Sequence, residues 1–157
     1  MRSGSFYIDG TKLLTAEAFE FVLEVELKRA MRSQNYLTLV VVETRREWEG
    51  MSVTADEGTV REVGQVIAKE VRDADLVGAD AGALSVALLD ADFKHSRQVI
   101  DRLVTRIENY KFPAPLSIAI GAACCPTHAV EAQSLTRQAR VQPIVTWSGA
   151  AGSDHVN

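Results

Sequence analysis

The sequence is poor in several features that would place it in a specialised class of protein. Its 157 residues include two cysteines and four prolines, and aromatic residues make up 6% of the chain. The cysteines, Cys124 and Cys125, are adjacent, which suits neither an ordinary disulfide nor a zinc site. We therefore expect two reduced thiols in a strand and a fold stabilised by its hydrophobic core.

Positive charge and long apolar runs are also scarce. The chain has 17 Lys and Arg against 21 Asp and Glu, a formal net charge of -4, which argues against a DNA-binding surface. It lacks a run of about 18 apolar residues and an apolar secretory segment, so we expect a cytoplasmic protein without a membrane span. The sequence motifs of zinc hydrolases, phosphate-loop NTPases and α/β-hydrolases are missing too.

The composition is otherwise that of an ordinary globular protein. Hydrophobic residues make up 46% of the chain and charged residues 24%. We expect one domain over residues 1–147, followed by a flexible tail over residues 148–157 that is small and polar.

Hydrophobic periodicity predicts helices that alternate with strands. Apolar residues recur at helical spacing in four segments: 15–32, 60–71, 93–107 and, more weakly, 131–140. Short apolar runs predict strands at 36–42, 76–77, 84–89 and 116–123, with 144–147 also extended. The polar stretch 44–57 is expected to be a loop or an irregular helix. This order predicts an α+β fold, a mostly antiparallel sheet flanked by helices and related to ferredoxin-like folds.

Several short segments resemble one known family. Ser117–Ala123 reads S-I-A-I-G-A-A, similar to a strand written S-I-G-V-A, and Asp9 with Leu13–Phe19 resembles an opening written D-x-L-T-G-L-x-N-R-R-x-F. In order and spacing they resemble the GGDEF domains, the diguanylate cyclases that condense two GTP into cyclic di-GMP. The resemblance covers roughly residues 8–140 and implies a nucleotide-cyclase-like fold.

The signature turn of that family is altered in this chain. Ala83 and Leu84 stand where the family has an acidic pair, and Glu43 keeps a carboxylate at the strand end that holds metal in the family. The family's reaction needs divalent metal held by carboxylates at the phosphates. The resemblance therefore implies a degenerate domain with no metal and no cofactor, and we predict that the chain is not an enzyme.

A second motif of the family is retained. Arg72 and Asp75 stand five residues before Ala81, the spacing of the family's product-binding R-x-x-D motif. An arginine offers a fork of donors to the acceptor edge of guanine, and a carboxylate accepts from guanine N–H groups. A further family arginine matches Arg102, with Arg106 one turn on as the alternative. An Arg and an Asp at this spacing also fit a plain surface ion pair.

Two hypotheses of function follow. The first is a receptor for cyclic di-GMP in bacterial signalling; because the family often binds this ligand as a stacked dimer, we expect a protein partner and a ligand-linked homodimer. The alternative is a protein–protein interaction scaffold with no nucleotide ligand, suggested by the altered segment after Arg140.

Overall fold

The computed structural model describes residues 6–113, 115–141 and 143–149, which form an antiparallel sheet flanked by helices. The helices are α1 (Ala16–Ser33), α2 (Glu57–Ala68), α3 (Phe93–Asn109) and α4 (Ala132–Val141). The strands are β1 (Leu37–Trp48), β2 (Met51–Thr54), β3 (Leu76–Asp80), β4 (Ala83–Leu89), β5 (Leu116–Cys125) and β6 (Pro143–Gly149). The predicted α+β class is confirmed.

Strand β1 lies at the centre of the sheet. The order is β3-β4-β1-β5-β6, with β2 paired to the far end of β1, and every pairing is antiparallel. Leu39 and Val41 of β1 pack in the cluster that contains α1 and α4, whereas Val40 and Val42 pack in the cluster that contains α2 and α3. Since both faces of β1 are covered, its sequence is a continuous apolar run instead of an alternating one.

Local signals set where the helices begin. Thr15 is the N-cap of α1, and its side chain accepts a hydrogen bond from the Ala18 N–H at 3.2 Å. Asp92 caps α3 in the same way, accepting from the His95 N–H at 2.9 Å. An N-cap oxygen satisfies a helical N–H that has no partner within the helix. The helix predicted from residue 15 onwards therefore begins at a residue that caps it.

The polar stretch after Glu43 is not the loop or irregular helix that its composition predicts. Strand β1 continues to Trp48 and returns as β2, with Trp48 opposite Met51. Arg45 Nε donates to Ser52 Oγ across the hairpin at 2.8 Å, and the Arg46 guanidinium lies 5.3 Å from the centre of the Trp48 ring. The prediction is wrong because polar cross-strand pairs stabilise this hairpin, so it has no apolar face for periodicity to detect.

Strand β6 ends the described part of the chain. Pro143 occupies its first position, where the missing N–H is tolerated, and Ser148 lies opposite Ser117 of β5. Residues 148 and 149, predicted to be tail, thus belong to the sheet, while residues 150–157 lie outside the described residues. Both cysteines are free and buried in β5, as predicted. None of the helices in the described segments is long and apolar enough to cross a membrane.

Candidate functional site

Asp75 lies in the loop between α2 and β3, and its carboxylate belongs to the interior of the domain. Its side chain is 3% exposed. Oδ1 accepts from Arg72 Nη2 at 3.1 Å and from the Leu89 N–H at 3.0 Å. Oδ2 accepts from the Arg72 N–H at 3.0 Å and from Arg72 Nε at 3.2 Å. The carboxylate therefore fastens this loop to the last residue of β4.

These contacts revise the role expected for Asp75. A carboxylate has about four acceptor positions, and four donors of the domain itself already approach this one. With 3% of its side chain exposed, Asp75 also offers little surface to the edge of a base. In this structure it acts on the orientation of Arg72 and has no free position for a guanine N–H.

Arg72 combines a fixed orientation with an open surface. Its side chain is 61% exposed, and Nε and Nη2 are held by Asp75 while Nη2 also donates to the Leu89 carbonyl. Its other terminal nitrogen, Nη1, has no hydrogen-bond partner among the described residues. Two N–H donors therefore remain for a ligand on a guanidinium that the loop already holds.

Arg102 and Arg106, the two candidates for the further arginine of the family's motif, both contact the carboxylate of Glu70. Arg106 Nε donates to Glu70 Oε2 at 2.6 Å, and Arg102 Nε lies 3.9 Å from Oε1. Arg102 Nη2 also donates to the Glu70 carbonyl at 3.1 Å. Both arginines project from α3 and are largely exposed, whereas Glu70 is mostly buried. The structure therefore brings Arg102, Arg106 and Arg72 to a single loop, residues 69–75, which we call the arginine loop.

A surface cavity of about 490 Å³ lies beside the arginine loop. Arg72, Asp73 and Asp75 line one part of it, and Thr11 and Lys12 of the N-terminal segment line another. Sequence reasoning missed Lys12 because a single lysine far from the motif gives no signal of its own. Only the fold places Lys12 in the same cavity as Arg72.

The turn between β3 and β4 packs against the β1–β2 hairpin. Gly82 has a φ of +71°, and a Cβ at this position would lie 2.2 Å from Thr54 Cγ2. Its carbonyl accepts from the Thr44 N–H at 2.9 Å and from Thr44 Oγ1 at 3.0 Å. The glycine is needed both for the left-handed backbone and for this close approach.

The residues near this turn do not fit the divalent metal that the family's reaction needs. Glu43 Oε2 lies 3.2 Å from Arg140 Nη1, so a guanidinium already neutralises this carboxylate. Ala83 and Leu84 are buried apolar residues. Within the described residues, no three Asp, Glu, His or Cys side chains converge as a metal site requires. No metal-dependent step is assigned to this site.

A second cavity, of about 410 Å³, lies between α1 and α4 over the sheet. Its lining includes two arginines of α4, two polar residues of the β3–β4 hairpin and one glutamate of α1. These are Arg137, Arg140, Asp80, Ser85 and Glu20. The side chains that line this cavity include positive, negative and apolar groups. Sequence reasoning missed it because the two α4 arginines, taken alone, have the spacing of a solvated helix face.

The fold has clear counterparts among solved structures, although no protein-family model and no curated protein sequence matches the chain. The GGDEF domain of TpbB, or YfiN, from Pseudomonas aeruginosa superposes with a TM-score of 0.68 at 20% identity, covering 85% of this chain and 83% of that one. The GGDEF domain of DgcB from Caulobacter crescentus, in complex with c-di-GMP, gives 0.70 at 11% identity over 88% of each chain. The chain has the fold of GGDEF domains. At these identities the likeness concerns the GGDEF-like fold alone.

The GGDEF-like fold corrects one prediction from the sequence. A third neighbour is the active GGEEF domain of a diguanylate cyclase from Vibrio cholerae, with a TM-score of 0.67 at 10% identity over 81% of this chain and 86% of that one. The prediction that the chain is not an enzyme is therefore wrong. It rested on Ala83 and Leu84, and two substitutions in one turn do not separate this chain from domains that share its whole fold.

Proposed function

We propose that this GGDEF-like domain is a receptor for cyclic di-GMP in bacterial signalling and binds the ligand at the arginine loop. One observation carries the proposal: the loop that bears Arg72 also contacts two arginines of α3 through Glu70, and all three guanidinium groups are largely exposed. The c-di-GMP complex of the DgcB domain, which has the same fold, supports the choice of ligand.

The chemistry of the ligand suits these side chains. Cyclic di-GMP carries two phosphodiester groups and two guanine bases. The planar guanidinium of arginine can donate two parallel hydrogen bonds to a phosphate group. The same geometry fits the O6 and N7 acceptors of guanine. Arg72 is held by Asp75 before any ligand arrives, so little further side-chain entropy is lost when its Nη1 group binds. Asp75 is then a positioning residue that acts through Arg72.

The ion pairs of Glu70 are compatible with this role. Arg102 and Arg106 are largely exposed, and ion pairs of exposed side chains contribute about 0–1 kcal/mol each. Ligand binding would exchange hydrogen bonds to the Glu70 carboxylate for hydrogen bonds to phosphate, and both kinds are charge-assisted. Because the attraction is between charges near the surface, binding should weaken as salt is added.

Isothermal titration calorimetry with cyclic di-GMP tests the proposal. The wild-type chain should bind with micromolar or tighter affinity, and Arg72→Ala should weaken binding by about 10-fold or more, since a hydrogen bond to a charged group contributes about 1.5–3 kcal/mol. Arg102→Ala and Arg106→Ala should each weaken it as well. The matched control is Arg97→Ala, which removes an arginine of α3 whose partner is Asp101, on the same helix, at 4.0 Å.

Two results would contradict the receptor proposal. The first is a wild-type chain that gives no heat and no thermal shift with ligand at about 100 μM. The second is binding that Arg72→Ala and Arg97→Ala reduce equally, which would indicate a general charge effect. Either result would favour the scaffold hypothesis, in which the fold serves only as a docking platform.

A further inference from the structure

The outer face of α1 carries two exposed apolar residues, Phe21 and Val25. Leu23 and Leu27 face the sheet, while Phe21, on the opposite side of the helix, is 62% exposed. At about 100° per residue, the exposed positions Glu17, Phe21, Val25, Lys28 and Arg32 form one stripe along the helix. We call these five residues the α1 stripe. Phe21 and Val25, one helical turn apart and 62% and 44% exposed, form a small apolar patch within this stripe.

The charges on this face are divided between the two halves of the helix. Acidic residues occupy the first half and basic residues the second, in matching positions. Counted from the two ends of α1, Glu17 mirrors Arg32. Neither Glu17 nor Arg32 forms an ion pair with another described residue of the chain. The helix is therefore complementary in charge to a second copy of itself that runs in the opposite direction.

We propose that the chain forms a two-fold symmetric dimer through antiparallel packing of α1 against α1 of a second copy. The two-fold axis passes near Val25, so each Glu17 meets Arg32 of the other copy, and the same contact occurs twice. Phe21 of each copy packs on Val25 and on the aliphatic stem of Lys28 of the other. This dimer needs no nucleotide, and none of the α1 stripe residues belongs to the arginine loop.

The size of the surface sets the expected strength of the dimer. An 18-residue helix is about 27 Å long, and a seam of one helix per copy is smaller than a standard interface. We therefore expect a reversible dimer with a Kd on the order of tens of micromolar. Since the outer contacts are between exposed charges, the dimer should weaken at high salt.

Sedimentation equilibrium at low salt measures the association. Phe21→Glu should weaken the dimer by about 30-fold or more, because it removes the apolar centre of the seam and adds a like charge beside Glu24. The matched control is Val141→Glu on α4, where an equally exposed apolar residue (62%) lies outside the seam. The control should dimerise as the wild type does, and circular dichroism verifies that both variants are folded.

A charge-exchange experiment tests the antiparallel geometry itself. In a homodimer of Glu17→Arg, the new arginine lies opposite Arg32 in both contacts. In a homodimer of Arg32→Glu, the new glutamate lies opposite Glu17 in both contacts. Each variant alone should therefore be monomeric. A mixture of the two should dimerise again, because both contacts of the mixed dimer have opposite charges. Glu17 and Arg32 of one chain are about 22 Å apart along the helix, so no contact within a single chain explains such a rescue.

The proposal is overturned by a wild-type chain that stays monomeric at about 200 μM, well above the expected Kd. In that case the stripe is covered by a different protein or faces solvent. It is also overturned if the mixture stays monomeric while each variant is folded, or if Val141→Glu weakens association as much as Phe21→Glu does. Neither result depends on the binding of cyclic di-GMP, so the two proposals fail independently.

Discussion

Removing Asp75 should destabilise the domain far more than removing Arg72, although the two residues share one ion pair. Asp75 is 3% exposed and also accepts from the Arg72 and Leu89 backbone N–H groups. A hydrogen bond to a charged group contributes about 1.5–3 kcal/mol, and a donor left unpaired away from water costs about 1–3 kcal/mol. We expect Asp75→Ala to lower the free energy of unfolding by about 3 kcal/mol. Arg72 is 61% exposed, so Arg72→Ala should cost about 1 kcal/mol or less.

Urea unfolding followed by far-ultraviolet circular dichroism measures these differences. With a slope of about 2 kcal/mol/M, Asp75→Ala should lower the transition midpoint by about 1.5 M. The matched control is Asp73→Ala, an exposed carboxylate in the same loop, which should change stability by no more than about 0.5 kcal/mol. The reasoning is refuted if Asp75→Ala is as mild as Asp73→Ala, or if Arg72→Ala costs as much as Asp75→Ala. Either result would mean that Asp75 does not fasten the arginine loop to β4.

Two further predictions concern the β3–β4 turn and the cap of α3. Gly82→Ala should lower the free energy of unfolding by about 2 kcal/mol or more, because the new Cβ overlaps with Thr54 and the backbone has a positive φ. The control is Gly50→Ala, which has a φ of +81° and nothing within 4 Å of the new Cβ, so it should cost about 1 kcal/mol. Equal losses in urea unfolding would contradict this. Hydrogen bonds from the backbone N–H and the imidazole of His95 lower the pKa of Asp92 below 3.8. The ionised Asp92 carboxylate therefore stabilises the fold above about pH 4, and this stabilisation is lost as the pH falls through the lowered pKa. The difference in Tm between wild type and Asp92→Ala should therefore be full at about pH 7 and narrow towards about pH 2; a constant difference would show that ionisation is irrelevant to the cap.

Much of the architecture follows from local sequence. The Thr15 cap and the periodicity from Phe19 to Ala30 define α1 without reference to any other element. The buried strands are apolar and β-branched, as at Val40–Val42, because both faces of the sheet are covered. The β1–β2 hairpin could not be predicted in this way, since exposed polar pairs such as Arg45 with Ser52 give no periodic apolar signal.

The sequence by itself determined the class of fold and the main helices, and it drew attention to Arg72, Arg102 and Arg106. Only the tertiary structure decided what these residues contact. Arg72 and Asp75 are neighbours in sequence, but the burial of Asp75 depends on Leu89, and the contact between Glu43 and Arg140 joins two distant segments. Helix caps and apolar periodicity act within a few residues, whereas the surroundings of a carboxylate depend on which strands and helices the fold places around it.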